Sequence, residues 1–241
     1  MGRPGRLESS YKTGQHPYSF RRVENPLHYL LFLSDDYGVE LGKKWPLLLF
    51  LHGIGERGDE PLELERLKIY GPPMMVEEQN DFPFIVVSPQ CPTDVYWDSK
   101  LGAVEGLLDE LVANLQVDPN RVYLTGLSMG GFGAWNLVLE QPERFAAVVP
   151  IAGGYEFESN AVPENICDLR EVPIWVFHGE QDNLVLSVQS TTLVNALKAC
   201  GGNIRYTLYP DADHMESWML TYGNPQLLEW MLQQSLESVA Q

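Results

Sequence analysis

The sequence has no apolar run near the roughly 18 residues that a membrane-spanning helix needs; its strongest, Pro46–Leu51, is far shorter. Residues 1–20 also lack the apolar core of a secretory leader, about 7–15 residues long, because Pro4, Gly5, Ser9, Ser10, Gly14, Gln15 and Pro17 interrupt them. Cysteine is scarce: Cys91, Cys167 and Cys200 are odd in number and carry no paired spacing. That pattern supports neither a zinc knuckle nor a disulfide framework and leaves three structural thiols. With no leader and no expected disulfide, the sequence points to the cytoplasm. Positive charge is scarce too, with 16 Lys and Arg against 33 Asp and Glu and a formal charge of −17. Nucleic-acid backbones and anionic membrane surfaces are therefore excluded as partners, and a neutral small molecule is expected. A homo-oligomer stays open.

Hydrophobic residues make up 44% of the 241 and aromatics 11%, enough for one buried core, so a single domain over residues 23–241 is expected. Residues 1–22 stand apart in composition: Arg3, Arg6, Lys12, Arg21 and Arg22 oppose only Glu8, and the segment reads as a flexible basic tail. Leu27–Leu33 is a β-rich run ended by Ser34, Asp35, Asp36 and Gly38, a strand that could belong to an edge hairpin. Trp45–Leu51 and Phe84–Ser88 are short continuous apolar runs, the pattern of strands buried on both faces of a parallel sheet. Between them, Glu60–Glu78 reads as a long loop with a helix broken at Pro72 and Pro73. Leu101, Val104, Leu107, Leu108, Leu111, Val112 and Leu115 recur at helical spacing, and Asp118-Pro119-Asn120 then turns the chain. Arg121–Thr125, Phe145–Ile151, Pro173–Phe177 and Asn203–Tyr209 are further strands. Met129–Glu140, Val188–Ala199 and Leu227–Val239 are helices. Alternating buried strands and helices require crossovers, which gives an α/β fold: a mostly parallel sheet with helices on both faces. Ligands of such sheets bind beyond the carboxyl ends of the strands.

Chemistry concentrates at those ends. Gly126-Leu127-Ser128-Met129-Gly130 matches G-x-S-x-G between an apolar strand and a helix, where small flanking residues permit a tight turn that exposes the serine oxygen. A serine hydroxyl needs a base, and five histidines compete for the role. His16 lies in the tail and His28 in the first strand, both badly placed, and His52 and His178 end strands, where orienting or packing roles are common. His214 follows the last strand in the polar stretch Tyr209-Pro210-Asp211-Ala212-Asp213, and the order serine, acid, histidine selects it. Asp182, just beyond Pro173–Phe177, is the orienting acid, preferred over Glu180, Asp211 and Asp213. Two backbone N–H groups should meet developing negative charge, from Met129 and from Ile54 in the loop after Trp45–Leu51. Glu56, Arg57 and Asp59 are expected to brace that loop, with substrate contact as the alternative. Substrate contacts are expected from His52 and Gly53 at the strand end and from Trp97, Tyr155 and Trp218 in the loops.

The segments L-H-G-I-G-E-R-G-D, S-P-Q-C-P, G-L-S-M-G-G, H-G-E-Q-D and D-H-M-E-S-W follow one another in an order that resembles the α/β-hydrolase superfamily over residues 27–240. Within it, the chain is similar to small bacterial esterases of the feruloyl and acetyl-xylan esterase, or phospholipase/carboxylesterase, type. The resemblance implies Ser128, Asp182 and His214 as a triad, Ile54 and Met129 as oxyanion donors, and Trp218 packed beside His214. Met215 and Glu216 intervene between His214 and Ser217-Trp218 where many relatives have one residue. Dienelactone hydrolases use a cysteine nucleophile, so Ser128 does not imply their chemistry. The expected activity is hydrolysis of short-chain or aryl carboxylic esters through an acyl-enzyme, with no metal or organic cofactor. A small peptidase or an acyl thioesterase of the same fold are the alternatives, and a non-catalytic binding module would not need all three residues.

Overall fold

Residues 11–23, 26–157 and 159–239 are described by the computed structural model. Among them, eight strands form one sheet: β1 (Gly14–Phe20), β2 (Leu27–Leu33), β3 (Trp45–Leu51), β4 (Ile85–Pro89), β5 (Val117–Leu127), β6 (Ala147–Ile151), β7 (Ile174–Gly179) and β8 (Ile204–Tyr209). The spatial order is β1-β2-β4-β3-β5-β6-β7-β8, antiparallel from β1 through β4 and parallel from β4 onward. Every residue of β3, β4 and β6 is buried, which is why these strands read as unbroken apolar runs. The helices are α1 (Gly71–Met75), α2 (Leu101–Asn114), α3 (Met129–Glu140), α4 (Val188–Ala199), α5 (His214–Tyr222), α6 (Pro225–Leu232) and α7 (Leu236–Val239).

Alternate residues of each strand serve opposite faces. On β3, Leu47 and Leu49 join a core with α2, α3 and α4 through Leu107, Trp135 and Leu193, whereas Leu48 and Phe50 join a second core with Trp218 of α5 and Trp230 of α6. A mostly parallel sheet covered on both faces results. This is the α/β-hydrolase architecture.

Four expectations need correction. The flexible tail over residues 1–22 does not hold at Gly14–Phe20, which pairs antiparallel with β2 along its whole length, buries Phe20 and stacks Tyr18 on Tyr29. Its mixed polarity is that of an edge strand, half exposed; residues 1–10 of the expected tail lie outside the described residues. The turn at Asp118-Pro119-Asn120 sits inside β5: Val117 pairs with Trp45 and Val122 with Leu47, so the three residues form an irregularity in a strand that continues past them. The closing helix Leu227–Val239 is divided into α6 and α7, and a further helix, α5, precedes both.

The fourth correction is chemical. Cys167 and Cys200 form a disulfide, with Cα atoms 5.5 Å apart and a sequence separation of 33; only Cys91 is free. Cys167 lies in the short 3-10 turn Ile166–Leu169 and Cys200 caps the C-terminus of α4, so the fold, not local spacing, brings them together. The bridge removes the cysteine-based argument for a reducing compartment. Closing a loop of this length restricts the unfolded chain by about 3–4 kcal/mol. Reduction, or Cys167→Ala with Cys200→Ala, should therefore lower the melting temperature by roughly 6–16 °C in calorimetry.

Candidate active site

Ser128 occupies the corner between β5 and α3 with φ 52° and ψ −119°, a conformation that costs a non-glycine residue energy and persists only where neighbours enforce it. Its amide donates to Ile151 O at 2.9 Å, and its carbonyl receives Gly131 N and Phe132 N at 2.8 and 3.1 Å. Gly126 and Gly130 allow the corner to close: a Cβ on Gly126 would run into the Gly130 carbonyl, and one on Gly130 into the Leu51 carbonyl. The turn thus presents Ser128 Oγ beyond the carboxyl end of the sheet.

His214 begins α5, not a polar loop. Asp213 and Glu216 cap this helix reciprocally, each side chain on the other's backbone N–H at 2.9 Å, and Ser217 Oγ donates to His214 O at 2.7 Å. The helix sets Trp218 one turn beyond His214, where the two rings meet edge to face at 4.7 Å. Met215 and Glu216 therefore supply the spacing that a helical turn requires. From this mount His214 Nε2 lies 2.8 Å from Ser128 Oγ, and Nδ1 lies 2.5 Å from Asp182 Oδ2.

Asp182 sits in the turn after β7. Its Oδ1 accepts Leu184 N and Val185 N, both at 2.9 Å, and its Oδ2 also meets His178 Nε2 at 3.1 Å. Burial by itself would raise its pKa; the bonds from His178, His214 and Val185 outweigh that and hold the carboxyl well below the ordinary range. Asp182 is accordingly a carboxylate at neutral pH, and Nδ1 of His214, which faces it, carries the hydrogen. Nε2 is then free to accept one from Ser128. Such an arrangement can draw the hydroxyl proton away while the oxygen attacks an electrophile.

The N–H groups of Ile54 and Met129 have no acceptor within the described protein, and both residues line the pocket that holds Ser128 and His214. Gly53 abuts the serine: a Cβ there would lie 3.7 Å from Ser128 Cβ. Arg57 donates to Ile54 O and Val95 O, Asp59 accepts Thr93 N, and Gln90 donates to Glu56 O, so this loop is tied to the one after β4.

The pocket is a cavity of about 830 Å³, within the usual range for small-molecule sites. Of the residues expected to contact substrate, Gly53, Trp97, Tyr155 and Trp218 line it, and Tyr70, Phe132 and Asn136 join them without having been anticipated. Phe132 had a signal, standing one helical turn after Ser128 on α3. Tyr70 had none, because its place depends on the path of the segment before α1. Ile54, Phe157, Leu184 and Met215 are exposed apolar residues of the same cavity.

His52 is the exception among the expected substrate contacts. It is 1% exposed and does not line the cavity. Its Nδ1 lies 2.6 Å from Gly53 O, its Nε2 accepts Cys91 N at 2.9 Å, and its carbonyl accepts the Trp97 indole at 3.0 Å. The side chain is a brace between loops, consumed by backbone partners. Burial pushes its pKa down to about 4, Gly53 O partly opposing and Arg57 assisting. An unfolded histidine protonates near pH 6.5, so its contribution to stability is complete above that pH. It declines by about 3 kcal/mol as the pH falls towards 4. Thermal denaturation between pH 7.5 and 4 should show a steeper loss for the wild type than for His52→Gln.

Among the described residues, no group of three or more His, Cys, Asp or Glu side chains is placed to hold a metal ion, and no helix is long and apolar enough to cross a membrane.

A strained serine corner at the carboxyl end of a mostly parallel sheet, with a histidine and an aspartate behind it, marks the hydrolase class of this fold. A family model described as Phospholipase/Carboxylesterase matches residues 82–219, and the chain belongs to that family. A solved structure of a thermostable esterase is similar over 92% of this chain and 63% of its own, with 33% identity and a TM-score of 0.77. Mouse (Mus musculus) lysophospholipase-like protein 1 is 26% identical over 211 residues, covering 75% of this chain and 88% of that one. The bifunctional acetylxylan esterase/xylanase XynS20E of Neocallimastix patriciarum is 27% identical over 145 residues, 58% of this chain but only 20% of the relative. The chain thus spans a minor part of several of the curated relatives it matches.

Proposed function

We propose that the protein is a serine carboxylesterase that hydrolyses short-chain or aryl carboxylic esters through an acyl-enzyme. The observation that carries this reading is the continuous chain from Ser128 Oγ to His214 Nε2 at 2.8 Å and from Nδ1 to Asp182 Oδ2 at 2.5 Å. His214 takes the hydroxyl proton as Ser128 attacks the ester carbonyl, and the resulting oxyanion is met by the free N–H groups of Ile54 and Met129. Collapse expels the alkoxide, which receives the proton from His214, and the acyl group remains on Ser128. Water then attacks the acyl-enzyme with His214 again as base, the acyl–Oγ bond breaks to release the acid, and His214 returns the proton to Ser128. Asp182 keeps the imidazole oriented and stabilises its cation throughout.

The aromatic cavity suits an aryl or short acyl group, and esterase relatives lend support to that substrate class. Among the described residues no side chain of Lys or Arg lines it, which disfavours an anionic substrate. The test is hydrolysis of p-nitrophenyl esters from acetate to laurate and of methyl ferulate. Turnover of acetate, butyrate or ferulate with a decline toward laurate is expected. Absence of turnover on all of them, by protein that is folded, would refute the reading.

A further inference from the structure

His178 ends β7 fully buried, and the reaction sequence above does not use it. Its ring nitrogens are nonetheless all engaged. Nε2 points between Val185 O at 2.8 Å and Asp182 Oδ2 at 3.1 Å; a carbonyl and a carboxylate can only accept, so Nε2 carries the hydrogen. Nδ1 lies 2.8 Å from Ser190 Oγ on α4, where it competes with Gly153 O after β6, also 2.8 Å away, for the single hydrogen of that hydroxyl. A line of polar contacts therefore runs from Ser128 through His214, Asp182 and His178 to Ser190, which stands between the ring and the β6 loop.

Two features of this geometry matter. First, His178 and His214 both address Oδ2 of Asp182, while Oδ1 is filled by two backbone N–H groups. Whatever hydrogen His178 gives to Oδ2 draws on the charge that faces His214. Second, His178 holds Val185 O while Val185 N holds Oδ1, so one ring fastens both the carboxylate and the turn that carries it.

We infer that His178 is a positioning residue: it fixes the rotamer of Asp182 and, by sharing Oδ2, sets how strongly that acid supports protonated His214. The inference rests on the esterase reading. Asp182 directly, and His214 through it, are the titratable groups that meet the ring; α4 presents Ser190, the β6 loop the Gly153 carbonyl, and β8 Leu208 in register.

The test compares wild type, His178→Phe, His178→Gln and Ser190→Ala in ester hydrolysis against pH, with rates expressed per site that a fluorophosphonate can label. His178→Phe keeps a ring and removes the donor. Its kcat should fall about 10- to 100-fold with KM within about twofold, in the range of removed hydrogen-bond partners that orient active groups. Its acid limb should move to higher pH, because Oδ2 then serves His214 alone. His178→Gln, which retains an N–H, should recover part of both effects. Ser190→Ala loosens the ring without touching Asp182 and should shift the limb in the same direction by less; it serves if His178→Phe does not fold. The downfield imidazole N–H resonance of His214 should move in His178→Phe in the absence of substrate. An unmoved acid limb in the folded variants, with kcat per labelled site unchanged, overturns the inference alone. A wild type that neither hydrolyses esters nor labels overturns the esterase reading and this inference with it.

Discussion

Ser128→Ala should lose the proposed ester hydrolysis by about 10⁴-fold or more while the protein keeps its fold. Alanine leaves the corner intact, since the bonds that shape it use the Ser128 backbone, its N–H on Ile151 O and its carbonyl under Gly131 and Phe132. Only the oxygen that His214 Nε2 faces is removed. The residual rate should be that of a pocket whose N–H groups still polarise a bound carbonyl toward water. Steady-state kinetics with p-nitrophenyl acetate, beside a melting curve within a degree or two of wild type, check both halves of this expectation. A comparable rate in the variant would place the chemistry elsewhere.

Asp182→Asn is expected to have an effect of nearly the same size, about 10⁴-fold in kcat, for a reason legible in its partners. The two backbone N–H groups of Leu184 and Val185 require an acceptor at Oδ1, so the asparagine carbonyl must take that place. Its NH₂ then replaces Oδ2 and points hydrogens at His214 Nδ1 and at His178 Nε2. His214 must respond by accepting at Nδ1 and carrying its hydrogen on Nε2, where it can no longer receive one from Ser128. KM should change little, and the melting temperature should fall because His178 Nε2–H now faces a donor. Burst kinetics would separate the lost acylation step from any change in binding.

Much of this was legible in the sequence because it depends on local chain geometry. A strand buried on both faces must be apolar throughout, as β3 is, and a serine corner between strand and helix must place small residues at 126 and 130. The serine, acid and histidine could be ordered along the chain once the strands were counted. What escaped depends on contacts made by the folded chain. β1 was hidden because an edge strand needs only a partner and one buried face, and its polar residues mimic a tail. The Cys167–Cys200 bridge was hidden because a loop and a helix end meet only after β7 and β8 pair. His52 resembled a site residue by position, and its backbone partners could not be read from H-G-I-G. The helical mount of His214 did leave a trace, since Asp213 and Glu216 stand at the spacing of a capping box.

On the proposed mechanism, His214 and Asp182 activate one serine, Ser128, for covalent chemistry. Intact-mass and peptide mapping after exposure to a fluorophosphonate tests it most directly, because the reagent phosphonylates an activated serine and needs no knowledge of the natural substrate. A single adduct per chain is expected, on Ser128, absent from Ser128→Ala and strongly slowed in His214→Ala. An adduct on another residue, or none on folded wild type, would contradict it.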